Sequence, residues 1–310
     1  MRVVSIRNGW INGILVHGAW FTAWGVVVMG CSADAPTDTS PIPYNPLPDA
    51  GSVDVVADGF IFTEGPLWLD DGALLFSDIP ANRIYRWDGV ETQIFREPSG
   101  VSNGLILDGS GRLLAAEHQN RRISRTEADG SIVTVVDAFE GMSLNSPNDL
   151  VLSQQGHLYF SDPPYGINES QQELPHNGVY MRAADETMSL IWSGDVDTRP
   201  NGVVLSPDER TLYVSFTRED VVRAFDLGDD GLPVSQTVFA TTTLSPDGLT
   251  VDASGNLYVA GKEGIDVYAP SGEVWGSIVT PLQPTNCTIG NNTLFITARQ
   301  ALYSVLLERP

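Results

Sequence analysis

One unit recurs six times between Glu64 and the C-terminus, and a repeat of this length decides the architecture before any single residue is weighed. Each copy opens with Glu, Asn or Asp, passes through about four apolar positions, turns at Asp- and Gly-rich residues and closes with a second apolar run. The copies begin at Glu64 (EGPLWLDDGALLFSD), Asn103 (NGLILDGSGRLLAAEH), Asn148 (NDLVLSQQGHLYFSD), Asn201 (NGVVLSPDERTLYVS), Asp247 (DGLTVDASGNLYVA) and Asn286 (NCTIGNNTLFITA), at spacings of 39, 45, 53, 46 and 39 residues. Two short runs rich in Val, Leu, Ile, Phe and Tyr across a turn make a β-hairpin. Further strand-like runs follow, among them Arg83 to Trp87, Arg122 to Thr126, Gly178 to Met181 and Val221 to Phe225. Four strands per repeat, arranged radially, form a propeller blade. The expected fold is therefore all-β, a six-bladed β-propeller. Only 24 residues follow Asn286, enough for about three strands, so an N-terminal strand at Val53 to Ala57 is expected to close the last blade. A β-solenoid or a pair of sandwiches is the alternative, and solenoid periods are usually shorter than these.

The chain of 310 residues carries 39 acidic against 17 basic side chains, a formal charge of -22. A phosphate backbone or an anionic membrane surface would be repelled, which excludes nucleic acid as a partner. The 42% of hydrophobic residues is enough for a full core, and one globular domain, expected to be a monomer, accounts for the body.

The head of the chain reads differently. Residues 10–30 are mostly apolar, follow Arg2 and Arg7, and end in Val28-Met29-Gly30-Cys31-Ser32, the pattern of a lipoprotein-type signal over residues 1–30 with lipidation at Cys31. A cleaved signal or an uncleaved anchor are the other readings, and each of them exports the body. Localisation is expected to be periplasm-facing or on the outer surface, with the membrane touched only through the lipid. Residues 31–50, rich in Pro, Asp, Ser and Thr, read as a disordered tether, and 51–310 as the propeller. With Cys31 lipidated, Cys287 has no partner and reads as a small buried core residue.

If each repeat opens with the innermost strand, then Glu64, Asn103, Asn148, Asn201, Asp247 and Asn286 form a ring at one mouth of the central channel. The hairpin returns the chain to the same face, bringing Asp78, His118, Asp162 to Tyr165 and Arg299 near it. Two carboxylates and four amides present hard oxygen acceptors, which suit calcium, magnesium or manganese better than zinc or copper. Asn and Asp before Gly are also common turn residues; Glu64 is not a turn former, and six aligned copies confined to Glu, Asp and Asn favour the site reading.

Glu64-Gly65-Pro66-x-Trp68, Pro147-Asn148-Asp149, Pro200-Asn201-Gly202, Pro246-Asp247-Gly248 and Thr285-Asn286-Cys287, in this order, resemble the gluconolactonase and regucalcin (senescence marker protein) family over nearly all of 51–310. Glu117-His118, Arg121-Arg122 and Asp162-Pro163-Pro164-Tyr165-Gly166 are closer to its bacterial gluconolactonase-like members. The resemblance implies a six-bladed propeller and a divalent cation held by the residues matching Glu64, Asn201 and Asp247. It implies that Asn148 faces both metal and substrate, and that Asp247 is the acid-base residue. Animal members carry an arginine where this chain has Ser146, so the contacts to sugar hydroxyls must differ.

The expected activity is divalent-metal-dependent hydrolysis of small lactones, a sugar lactone such as glucono-1,5-lactone, with calcium as the cation and magnesium, manganese or zinc as substitutes. The cation would polarise the carbonyl while water attacks. Asp247 is one candidate base and His118, with a side-chain pKa near neutral, is the other. The metal set is Glu64, Asn148, Asn201 and Asp247; the substrate set is Asn103, Asn148, His118 and Tyr165. The long loop at Pro163 to Asn177 is expected to overhang the site. Trp68, Trp87, Trp192 and Trp275 are read as packing between blades. A phosphotriesterase or arylesterase on the same site, or a noncatalytic calcium-stabilised scaffold, are the alternatives.

Overall fold

The protein is described from a computed structural model over residues 44–195 and 197–307. The signal, Cys31 and most of the tether lie outside the described residues. Six four-stranded antiparallel sheets follow one another along the chain. Blade 1 is Thr63–Trp68, Leu74–Asp78, Arg83–Trp87 and Thr92–Arg96. Blade 2 is Ser102–Leu107, Leu113–Glu117, Arg122–Thr126 and Ile132–Val136. Blade 3 is Leu150–Leu152, Leu158–Asp162, Asn177–Arg182 and Met188–Gly194. Blade 4 is Pro200–Leu205, Thr211–Phe216, Val221–Leu227 and Pro233–Thr241. Blade 5 is Leu249–Val251, Leu257–Ala260, Gly264–Tyr268 and Val274–Val279. Blade 6 is Asn286–Gly290, Thr293–Ala298 and Ala301–Leu306, and Asp54–Asp58 pairs antiparallel along its outer strand. The architecture is a six-bladed β-propeller.

The inner strands hold the ring together, because a backbone group facing the channel needs a partner once water is excluded. Gly104 N donates to Asn148 O at 2.8 Å, Gly202 N to Asp247 O at 3.3 Å and Gly248 N to Thr285 O at 2.8 Å. The other seams use side-chain hydroxyls: Ser77 Oγ donates to Asn103 O at 2.8 Å, Ser161 Oγ to Asn201 O and Thr285 Oγ1 to Thr63 O at 2.7 Å. Every seam between consecutive blades is thus bridged at its inner edge, by backbone groups belonging to or adjoining the mouth residues.

Apolar layers fill the space between sheets. Trp68 stacks on Phe295 across the seam of blades 1 and 6, with centroids 4.9 Å apart, and Trp192 meets Phe216 edge-on at 4.5 Å across blades 3 and 4. Such aromatic contacts add to the burial of large apolar area. Cys287 is buried and packs with Tyr258, Ile265 and Leu294.

The packed body starts ahead of Gly51. Leu47 and Ala50 pack against the cluster of blades 5 and 6, Ala50 bridges to Leu307, and Tyr44 O accepts Asn256 Nδ2 at 2.9 Å. Residues 44–50 carry Tyr, Leu and Ala among their prolines, enough for one short docking contact.

Candidate active site at the channel mouth

Irregular pairing at the start of the inner strands places the mouth residues. In blades 1, 2 and 4 the register between the first two strands shifts between Glu64 and Leu67, Ser102 and Leu105, and Pro200 and Val203. An extra residue at such a bulge bends the strand and re-aims side chains. Gly65 shows why the sequence must be Glu-Gly here. Its φ is +51°, and a Cβ would lie 2.1 Å from Asn103 O, which only glycine avoids. Glu64, Asn103, Asn148, Asn201 and Asn286 are all buried, and Asp247 is partly exposed.

The two carboxylates of the ring face each other electrostatically. Burial raises Glu64 well above the ordinary carboxylate range, and Asp247 and Asp149 push it further up, against hydrogen bonds from Gly65 N at 3.0 Å and from the Asn286 side chain. Burial brings Asp247 up to about 7, against an Asn201 side-chain hydrogen bond and the charge of Arg299. Glu64, Asn201 and Asp247 are therefore brought together, with Asn286 and Asp149 beside them.

Asp149 was singled out by nothing in the repeat, yet it stands at the centre of this set. Its carboxylate accepts Leu150 N at 3.0 Å and Val203 N at 3.2 Å. Burial brings it up to about 7, against these two bonds and one from the Asn286 side chain. The residue after each mouth residue is Gly65, Gly104, Asp149, Gly202, Gly248 and Cys287. Each of the four glycines lets the next blade approach closely: a Cβ at Gly104 would lie 2.7 Å from Asp149 Oδ1, and one at Gly248 1.9 Å from Asn286 Cγ. The one acidic residue in a column of small ones was the available signal.

This donor set fits a hard divalent cation. The acids Glu64, Asp247 and Asp149 repel one another at the mouth, offset in part by the Asn201 and Asn286 side-chain amides, and Asn103 Oδ1 is buried with no hydrogen-bond partner. A cation would relieve the repulsion among the acids. Among the described residues no three His, Cys, Asp or Glu side chains are spaced to hold a metal by themselves, so amides must complete the set. Glu64, Asn201 and Asp247, brought together at the mouth, are the residues that would hold it, with the buried Asn148 as the fourth member that the resemblance implies.

His118 differs from expectation. It is buried, its Nε2 has no hydrogen-bond partner, and burial pulls its pKa down to about 4 rather than leaving it near neutral. Asp78 and Asp162 lie at the same face but tie backbone: Asp78 accepts Ile61 N and Phe62 N at 3.0 Å, and Asp162 accepts Asn145 N and Ser146 N at 2.7 Å. Tyr165 lies beside Asn201 and Thr217. The residue is 44% exposed as a whole, while burial of the hydroxyl pushes the phenol up to about 12, against hydrogen bonds with the Thr217 and Asn201 side chains.

Residues 62–300 match the model of the SMP-30/gluconolactonase/LRE-like region. The chain belongs to this family. A gluconolactonase of Zymomonas mobilis is 36% identical, over 79% of this chain and 78% of the relative. The solved structure of a gluconolactonase from Xanthomonas campestris superposes with a TM-score of 0.77 at 33% identity, covering 83% of this chain and 90% of that one. The fold extends to a regucalcin of Agrobacterium tumefaciens, described as a calcium-binding protein, with a TM-score of 0.69 at 20% identity over 83% of this chain and 93% of that one.

Proposed function

We propose that the channel mouth hydrolyses small sugar lactones, glucono-1,5-lactone among them, with one divalent cation, calcium, bound by Glu64, Asn148, Asn201 and Asp247. The coarser statement, a hydrolase of carboxylic esters of the lactonase kind, rests on the family and on relatives named gluconolactonase and lactonase. The finer one is carried by a single observation, the convergence of Glu64, Asn201 and Asp247 in a buried oxygen-rich mouth.

When bound, the cation supplies Lewis-acid polarisation of the lactone carbonyl. The chain supplies the rest. Asn103 and Asn148 offer amide donors and acceptors to ring hydroxyls. Asp247, partly exposed at the mouth, takes the proton of the attacking water at its carboxylate. His118 is assigned to binding, because a base held at about 4 is weak at neutral pH. Lactones are reactive esters, so moderate catalysis suffices. Arg2, Arg7, the apolar run and Cys31 support export as a lipid-anchored protein, with the monomeric body facing the periplasm or the outer surface.

A substrate panel tests this reading: glucono-1,5-lactone, an aryl ester and a phosphotriester, each with the calcium-loaded protein. Lactone turnover well above that of the other two is expected. Preference for the aryl ester or the phosphotriester would move the assignment to those classes, and no turnover would leave a calcium-stabilised scaffold.

A further inference from the structure

The strand pair Leu158–Asp162 and Asn177–Arg182 is joined by residues 163–176, fourteen residues where the corresponding connections of blades 1, 2 and 4 use four. Such an insertion could hang free of the body, and this one does not. Gly166 N donates to Ser146 Oγ at 2.9 Å. A Cβ at Gly166 would lie 2.4 Å from Ser146 Oγ and 2.6 Å from His118 Cβ. The backbone of the insertion is thus wedged between blade 2, through His118, and the entry to blade 3, through Ser146. Ser146 is fully buried and is itself fixed, since its N–H donates to Asp162 Oδ1 at 2.7 Å. One residue before the wedge, Tyr165 faces the Thr217 and Asn201 side chains of blade 4. The far end is also tied down: Glu173 Oε2 accepts Ser143 N at 3.0 Å and Leu174 is buried in the core. A segment held against blades 2 and 3 whose next side chain reaches blade 4 crosses the mouth.

We infer that Ser146, acting through Gly166, is the positioning residue for Tyr165, and that the crossing segment selects polyhydroxylated lactones over hydroxyl-free ones. This rests on the lactonase reading above. The Tyr165 phenol stands next to Thr217 and Asn201 at the edge of the proposed site, in a residue that is 44% exposed as a whole. It can donate to and accept from a ring hydroxyl there, while the carbonyl end of the substrate lies over Glu64, Asn201 and Asp247. A lactone without hydroxyls gains nothing from that contact. Ser146 suits its place because its hydroxyl accepts the glycine N–H while leaving room for a backbone with no Cβ.

The test compares glucono-1,5-lactone with δ-valerolactone on the calcium-loaded full chain. In Ser146→Ala, KM for glucono-1,5-lactone should rise about tenfold, the worth of roughly one hydrogen bond, with kcat little changed. KM for δ-valerolactone should stay within about twofold. Tyr165→Phe should reproduce the rise for glucono-1,5-lactone, and the double variant should lose no more than either single one, the sign of a shared contact. Thermal unfolding separates a failed fold from a lost contact, and Tyr165→Phe, which removes only the hydroxyl, carries the test if Ser146→Ala unfolds. Equal KM increases for both lactones, no increase for either, or additive losses in the double variant would overturn the inference alone. A wild-type protein that hydrolyses neither lactone would remove the lactonase reading and overturn the inference with it.

Discussion

The Asp149 carboxylate accepts the backbone N–H of Val203 at 3.2 Å, linking the inner strands of blades 3 and 4 directly beneath the channel mouth. The same side chain receives Leu150 N at 3.0 Å and the Asn286 amide of blade 6. One acid thus ties three blades at the point where the site residues converge. Removing it would leave two buried N–H groups without an acceptor, at about 1–3 kcal/mol each. Asp149→Ala should lower unfolding free energy by roughly 2–5 kcal/mol, and Asp149→Asn by less because one oxygen remains. Equal losses in urea melts would show that the acceptor oxygens are not what the blades need.

Binding of calcium should raise the melting temperature, because it compensates the carboxylates that burial and mutual repulsion disfavour. Stabilisation follows the ratio of free cation to its dissociation constant, about 2.7 kcal/mol at a hundredfold excess. Scanning calorimetry with calcium and with chelator should show the increment in the wild type and little of it in Glu64→Gln or Asp247→Asn. An increment of the same size in both variants would place the cation elsewhere.

His118 gives a pH signature of the fold. Burial lowers its folded pKa to about 4 from an ordinary 6.5, so the unfolded chain binds more protons between these values. Stability from the neutral imidazole is fully present above about pH 6.5 and is lost as pH falls through about 4, by up to about 3 kcal/mol. The difference between wild type and His118→Asn should shrink over that window in chemical unfolding experiments. Parallel pH profiles would mean that His118 titrates as it does in water.

The buried Glu117 clamps two arginines of neighbouring blades, Arg96 and Arg122, the latter at 2.7 Å. Burial alone would raise its pKa; Arg122, Ser124, Asn120 and Arg96 together hold it below the ordinary range. Glu117→Gln leaves the Arg96 guanidinium, 9% exposed, without its counter-charge. Breaking such a pair costs about 3–5 kcal/mol. A loss under about 1 kcal/mol in urea melts would make the clamp dispensable.

The fold was legible because the hairpin repeats in every blade with mouth residues at matching places. Strands expected at Arg83 to Trp87 and Arg122 to Thr126 occur with those bounds. The grouping of Glu64, Asn201, Asp247 and Asn286 was legible for the same reason: repetition exposes residues that a single copy would pass off as turn formers. Three features were not. Asp149 acts through its distance to other blades, which no local pattern encodes. The depressed basicity of His118 comes from burial, to which Gly166 of the insertion outside the repeat contributes by packing against it. The docking of Leu47 beneath a proline-rich segment depends on one side chain meeting an apolar patch of blades 5 and 6.

The most direct measurement is hydrolysis of glucono-1,5-lactone by the metal-stripped protein before and after calcium is restored, with Asp247→Asn and Glu64→Gln in parallel. The account predicts that turnover appears with calcium in the wild type and falls by at least about a hundredfold in both variants. Turnover that ignores calcium, or survives in both variants, would contradict a catalytic centre at this mouth.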